Sequence, residues 1–242
     1  MDRRGLLRST AAVGAAGATA WGAGSAAAQG PWGPRGKGRG TGPLRVHIVV
    51  FDGVEELDFV GPLEVFGAAR SVGQQVETRL VTSAGAGGCT GRFGTKVTDV
   101  GAWDPGAADV VVVPGGGFAQ RDGAGVWAEI KKGRMTRALR EAVRPDLTLL
   151  GVCTGVIVLH AAGVIGDRPC TTHHRAKDYL REQGADVRDA RVVDDGNLVC
   201  AGGVSSGIDG SLWLLERALG TAPAGQVEAL MEFERRGTVL RT

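Results

Sequence analysis

The chain carries almost no excess charge: 28 Lys and Arg against 26 Asp and Glu leave a net +2 over 242 residues. Beyond the first forty residues the basic side chains are scattered, so no field of one sign is available to draw a nucleic-acid backbone. Cysteine is also scarce. Cys89, Cys153, Cys170 and Cys200 form no CxxC pair and no Cys/His cluster, which argues against a zinc site. A hydrophobic fraction of 43% at this length allows a full core, and such a core needs no disulfide staples. A strongly apolar run is missing too: the Ala/Gly stretch near the N-terminus is too weakly apolar for a permanent membrane anchor. With no internal repeat and no sign of a second domain, one sizeable domain is expected.

Glycine, by contrast, is abundant, with 41 residues gathered in the N-terminal segment and in short turns between apolar runs. Residues 1–28 begin with a charged stretch, continue as Ala and Gly, and end on Ala26-Ala27-Ala28, which is similar to a signal-peptidase site. Arg3-Arg4-Gly5-Leu6-Leu7-Arg8 resembles a twin-arginine export signal. Export of the folded protein is the expectation; a tail with chance arginines is the alternative. Residues 29–43 read as a Gly/Pro-rich linker, and the domain proper is expected over 44–242.

From Leu44 the pattern alternates strand and helix. "LRVHIVVF" and "ADVVVVPGGG" are continuous apolar runs ending in turn residues, as strands buried on both faces should be. "VETRLVTSAG" and "LTLLGVC" are shorter examples. "LDFVGPLEVFGAARSVG", with Pro62 expected in the first turn, and "VWAEIKKGRMTRALREAVR" have helical spacing. "GCTGRFGTKVTDV" reads as a small hairpin, and two amphipathic helices close the chain. This order predicts an α/β three-layer sandwich with a mainly parallel central sheet. Ligands in such sheets sit beyond the carboxyl ends of the strands. Three stretches converge there: the turn after "VHIVVFDG", the "PGGG" of 114–117, and Cys153.

Cys153 stands between an apolar strand and an apolar helix, with Gly151 and Gly155 on either side. That is the position of a nucleophile elbow, where a sharp turn thrusts the side chain out of the sheet edge. The unpaired N–H groups of a helix start favour a thiolate there, against the plain alternative of an inert buried thiol. The other three cysteines fit that alternative. The amides of Gly116, Gly117 and Thr154 are candidates to hold a developing negative charge, although "PGGG" can also be only a turn. Asp58 is the candidate acid; helix capping is its plain alternative, and Glu55 and Glu56 are expected to face solvent. A carboxylate beside a thiolate raises one pKa, so the two groups would share a proton. In "CTTHHRAKDYL" one histidine, His173, is a candidate for orienting or binding substrate; Arg175 stands where a glutaminase-type His-x-Glu pair would need an acid.

"FDGVEELDFVGPLEVF", "DVVVVPGGG", "GVCTGVIVLHAAGVIGDRPCTTHH" and "RVVDDGNLVCAGGVSSGID" together resemble the ThiJ/PfpI superfamily, most of all its isonitrile hydratase branch. The resemblance runs in order through nearly the whole chain after the linker. It implies a flavodoxin-like, glutamine amidotransferase-like fold with the elbow at Cys153, and a lyase that adds water to an isonitrile to give an N-substituted formamide. The functional residues it implies are Cys153, Thr154 and Asp58. Peptidase and glyoxalase-like members usually have Cys-His at the elbow and an early glutamate, so Thr154 favours the hydratase branch. No cofactor and no metal are implied; a homodimer is. The other readings are a cysteine-dependent enzyme acting on small carbonyls or amides, and a non-catalytic ligand-binding domain.

Overall fold

A computed structural model describes residues 42–242; the expected export signal and nearly all of the expected linker lie outside the described residues. The apolar runs form the central strands β1 (Leu44–Val49), β5 (Val110–Val113) and β6 (Thr148–Val152), side by side and parallel. Val110 to Val113 are all buried, because helices cover both faces of such a strand and leave no side for polar residues. β2 (Val76–Thr82) flanks β1, and β8 (Leu198–Ala201) flanks β6, with β7 (Val192–Asp195) and β9 (Val239–Arg241) beyond it. The opposite edge is the expected hairpin, β3 (Gly87–Thr90) and β4 (Lys96–Ala102). In the order β3-β4-β2-β1-β5-β6-β8-β7-β9, the pairs β3–β4 and β7–β8 are antiparallel and the rest parallel.

Helices α1 (Glu56–Ser71), α6 (Ser206–Leu219) and α7 (Thr221–Leu230) pack together as one layer. A second layer is α2 (Val126–Lys132), α3 (Arg134–Ala142) and α4 (Gly155–Ala161), with the short α5 (Lys177–Glu182) following later in the chain. Two expectations are corrected. Residues 126–144 do not make one helix: Gly133 turns left-handed at φ 70°, its N–H closes α2 on the carbonyls of Glu129 and Ile130, and α3 starts afresh. Pro62 is not in the first turn, because α1 begins at Glu56 and the ring falls in the helix interior, where it removes the bond to the Asp58 carbonyl. The site of that interruption is a close helix crossing. A Cβ added at Gly61 would lie 3.0 Å from Ile208 Cγ1, and one at Gly207 would lie 2.9 Å from Val152 Cγ1 and 3.6 Å from Pro62 Cδ. Small residues therefore let α1 and α6 meet over the end of β6.

The parallel strands β1, β5, β6 and β8 are neighbours, so the loops that follow them gather at one rim of the sheet. The tightest junction there is Gly155, the first residue of α4, where a Cβ would lie 2.0 Å from the Val113 carbonyl oxygen and 2.6 Å from that of Pro114. Both obstacles are backbone, so no side chain can swing aside. Gly155→Ala should lower the unfolding free energy by about 3 kcal/mol in urea denaturation. A loss below ~0.5 kcal/mol would contradict so close a junction.

Candidate active site

Cys153 is the residue on which the chain turns from β6 into α4, and its backbone is left-handed at φ 55°. A non-glycine residue held there carries strain of about 1–3 kcal/mol, sustained by the bonds around it. Its N–H donates to the carbonyls of Gly202 at 2.8 Å and Ala201 at 3.0 Å, and its carbonyl accepts the Thr172 hydroxyl at 2.7 Å. The side chain is not displayed to solvent as an open elbow would display it. Only 5% of Cys153 is exposed, at the floor of a cavity of about 330 Å³. Nor is the thiol poised as a thiolate. Burial first, and then the charge of Asp58, push it up to about 12, against the pull of the Val204 and Thr154 N–H groups aimed at the sulfur. The helix start acts in the expected direction and is outweighed.

Asp58 does not cap a helix. Glu55 occupies the cap position, and Asp58 lies inside the first turn, fully buried, with Oδ2 accepting the Gly115 N–H at 2.9 Å. Oδ1 has no partner at hydrogen-bond geometry, and the side chain that interacts with the carboxyl is Cys153. Burial pushes Asp58 up to about 7, with the charge of Glu55 adding to the rise; the Gly115 N–H and the Cys153 thiol oppose it. The structure therefore brings the sequence's two leading candidates together, buried and in contact.

The "PGGG" turn is bound tightly to this pair. Gly116 donates its N–H to Thr154 Oγ1 at 3.0 Å, so that amide is already occupied and does not face a reacting group as expected. The Gly117 N–H has no partner among the described residues, and Gly117 lines the cavity. Close approach requires the glycines: Gly116 has φ 142°, and a Cβ on it would lie 2.2 Å from the Gly53 carbonyl. His173 lines the cavity and His174 lies against it, ring centroids 4.3 Å apart and planes tilted by 36°, where the chain enters a 3₁₀ turn. The Arg175 N–H donates to His173 Nδ1 at 3.3 Å, which leaves the proton on Nε2. Burial, then the charges of His174, Arg175 and Arg92, push His173 below its usual value, so it is neutral at pH 7.

Several lining residues escaped the sequence reading. Glu55 and Glu56 do not face solvent as expected. Glu55 is buried against the cavity, its N–H on the Gly115 carbonyl at 2.8 Å and its carboxylate 3.6 Å from Arg92; burial raises its pKa. Glu56 Oε1 accepts the Phe93 N–H at 2.8 Å and so fastens the β3–β4 hairpin over the site. That hairpin delivers Arg92, the 3₁₀ turn delivers Arg175, and Phe118 and Val204 add apolar wall. Val204 is a second strained residue, at φ 28°, and this turn aims its N–H at the sulfur. A β-branched residue after two glycines gives no sequence signal for that role. Among the described residues no three His, Cys, Asp or Glu side chains are grouped to hold a metal ion.

A mainly parallel sheet with a strained cysteine elbow and a buried acid opposite it defines the class of the protein. The chain belongs to the DJ-1/PfpI family, which it matches over residues 44–217. It is 31% identical over 191 residues to isonitrile hydratase of Pseudomonas putida, covering 78% of each chain. It is also 31% identical over 159 residues to a deglycase of Thermococcus kodakarensis, covering 64% of this chain and 88% of the relative. A solved ThiJ/PfpI family protein from Pseudomonas syringae shares the fold with TM-score 0.69 at 23% identity, covering 81% of this chain and 77% of its own.

The raised carboxyl has a consequence for stability. Asp58 titrates near 3.8 when unfolded and about 7 when folded, so between those values the native protein holds a proton that the unfolded chain has released. The stability from the neutral carboxyl is fully present below pH ~4 and is lost as pH rises through about 7, at about 1.4 kcal/mol per pH unit within the window. Asp58→Asn, neutral throughout, should therefore gain on the wild type by ~4 kcal/mol between pH 4 and pH 8 in denaturant melts. Parallel stability curves for the two proteins would contradict the raised pKa.

Proposed function

We propose that this site adds water to isonitriles, giving N-substituted formamides, with Cys153, Thr154 and Asp58 as its catalytic residues. The observation that carries the reading is a fully buried carboxyl in contact with a buried thiol at a cavity floor, where burial pushes both groups up. An isonitrile needs a nucleophile and a proton at one and the same terminal carbon, which is what such a pair supplies. The 31% identity to an isonitrile hydratase supports the same chemistry.

In the first step the Asp58 carboxylate takes the thiol proton as the sulfur electron pair forms an S–C bond to the terminal carbon. The carbon's own electron pair then takes that proton from Asp58, giving a thioimidate, R–N=CH–S. No standing thiolate is needed, which agrees with a thiol pushed up to about 12. In the second step Asp58, again a carboxylate, takes a proton from water as its oxygen bonds to the same carbon. The C=N electron pair moves to nitrogen, which receives that proton. In the third step the C–S bond breaks, its pair returns to sulfur, and the hydroxyl proton passes through Asp58 to the thiol as the formamide C=O forms. One isonitrile and one water give one formamide, and the pair regains its proton. Thr154 holds the glycine turn and faces the sulfur with its N–H; Gly117 N–H and neutral His173 Nε2–H bind the polar end of the substrate.

The similarity to a deglycase favours one other reading, cysteine chemistry on small carbonyls. Asp58 in place of an early glutamate, and Thr154 in place of histidine after the cysteine, weigh against it. Turnover of methylglyoxal without turnover of any isonitrile would select it. For the hydratase, single-turnover mass spectrometry should find Cys153 heavier by one isonitrile, and Cys153→Ala should lose roughly a thousandfold or more in kcat/KM. A variant that kept most of its activity would refute the assignment.

A further inference from the structure

At the rim of the cavity the charges do not cancel. Glu55 faces Arg92 across 3.6 Å, while the Arg175 guanidinium has no carboxylate or carbonyl partner among the described residues. Both arginines line the same cavity as Cys153, from different loops. They stand at its outer end: the Arg92 side chain is 46% exposed and Arg175 is exposed, whereas the sulfur is buried. Their influence reaches inward, since both guanidinium charges act on His173. Between the arginines and the sulfur, Phe118 and Val204 offer a short apolar wall.

We propose that the cavity takes isonitriles whose organic arm ends in a carboxylate, received by Arg175 with Arg92 beside it while the isonitrile carbon reaches Cys153. The inference rests on the hydratase reading for the reacting group and on the charge layout for the arm. One negative charge matches the excess of one guanidinium over the carboxylate at the rim. A wholly neutral arm would leave Arg175 without an anion and partly stripped of water. The planar fork of a guanidinium suits a carboxylate in particular.

Isocyanoacetate and its methyl ester test this as a matched pair. The wild type should turn over the carboxylate with kcat/KM about tenfold or more above the ester, and Arg175→Gln should bring that ratio to about one. An ester turned over as well as the carboxylate overturns the anionic arm and leaves the hydratase reading standing. If neither compound is turned over, alkylation of Cys153 decides the charge preference independently of the hydratase reading. The rate ratio of iodoacetate to iodoacetamide, read by intact mass, should exceed that of free cysteine and fall in Arg175→Gln. A ratio at or below that of free cysteine overturns the inference.

Discussion

Asp58 is fully buried, and its charged form survives only as far as neighbouring groups replace the water it has lost. Gly115 supplies one N–H and the Cys153 thiol supplies the other contact, which is too little to keep the carboxyl in its ordinary range. The thiol is in the same position, with two backbone N–H groups set against burial and a nearby negative charge. Neither group can ionise independently of the other. A proton is therefore retained between them near neutral pH, and the surrounding structure keeps the pair close and buried.

The scaffold accepts strain to do so. Cys153 and Val204 both have left-handed backbones, on the two loops that follow the adjacent strands β6 and β8. Their turns aim the sulfur into the cavity and an N–H at the sulfur. Glycines at 115 and 155 bring the β5 loop into backbone contact with the elbow, and Gly116 brings it onto the loop after β1, so the strained turn is braced from behind. The same burial that raises the Asp58 pKa makes the protein less stable as pH rises through neutrality, a cost confined to the residues that carry the chemistry.

Periodicity revealed the sheet because buried parallel strands leave nothing polar in their runs, and "VVVV" has no other reading. The elbow was readable for a related reason: a cysteine between a strand and a helix, flanked by glycines, has few places to go. What single-sequence reasoning misjudged depended on distant contacts. Glu55 looks like a solvent-facing acid until the glycine turn closes over it, and Glu56 until the hairpin arrives. Gly116 looked like a free donor, yet Thr154 Oγ1 takes its N–H from the neighbouring loop. The thiol's ionisation was misread because local helix geometry was weighed without the depth of burial. Arg92 and Arg175 reach the cavity from elements far apart in sequence, and nothing local marks them.

The result is a gradient: a buried acid–thiol pair at the floor, cationic side chains at the rim. Its inner half rests on the ionisation of one carboxyl, which can be observed directly. The carboxyl carbon of Asp58, labelled with ¹³C and followed by NMR across the pH range with Asp58→Asn for assignment, should titrate with a midpoint of about 7. A midpoint near the ordinary aspartate value of ~4 would mean that burial does not raise the carboxyl, and the account of a desolvated acid beside the thiol would be contradicted.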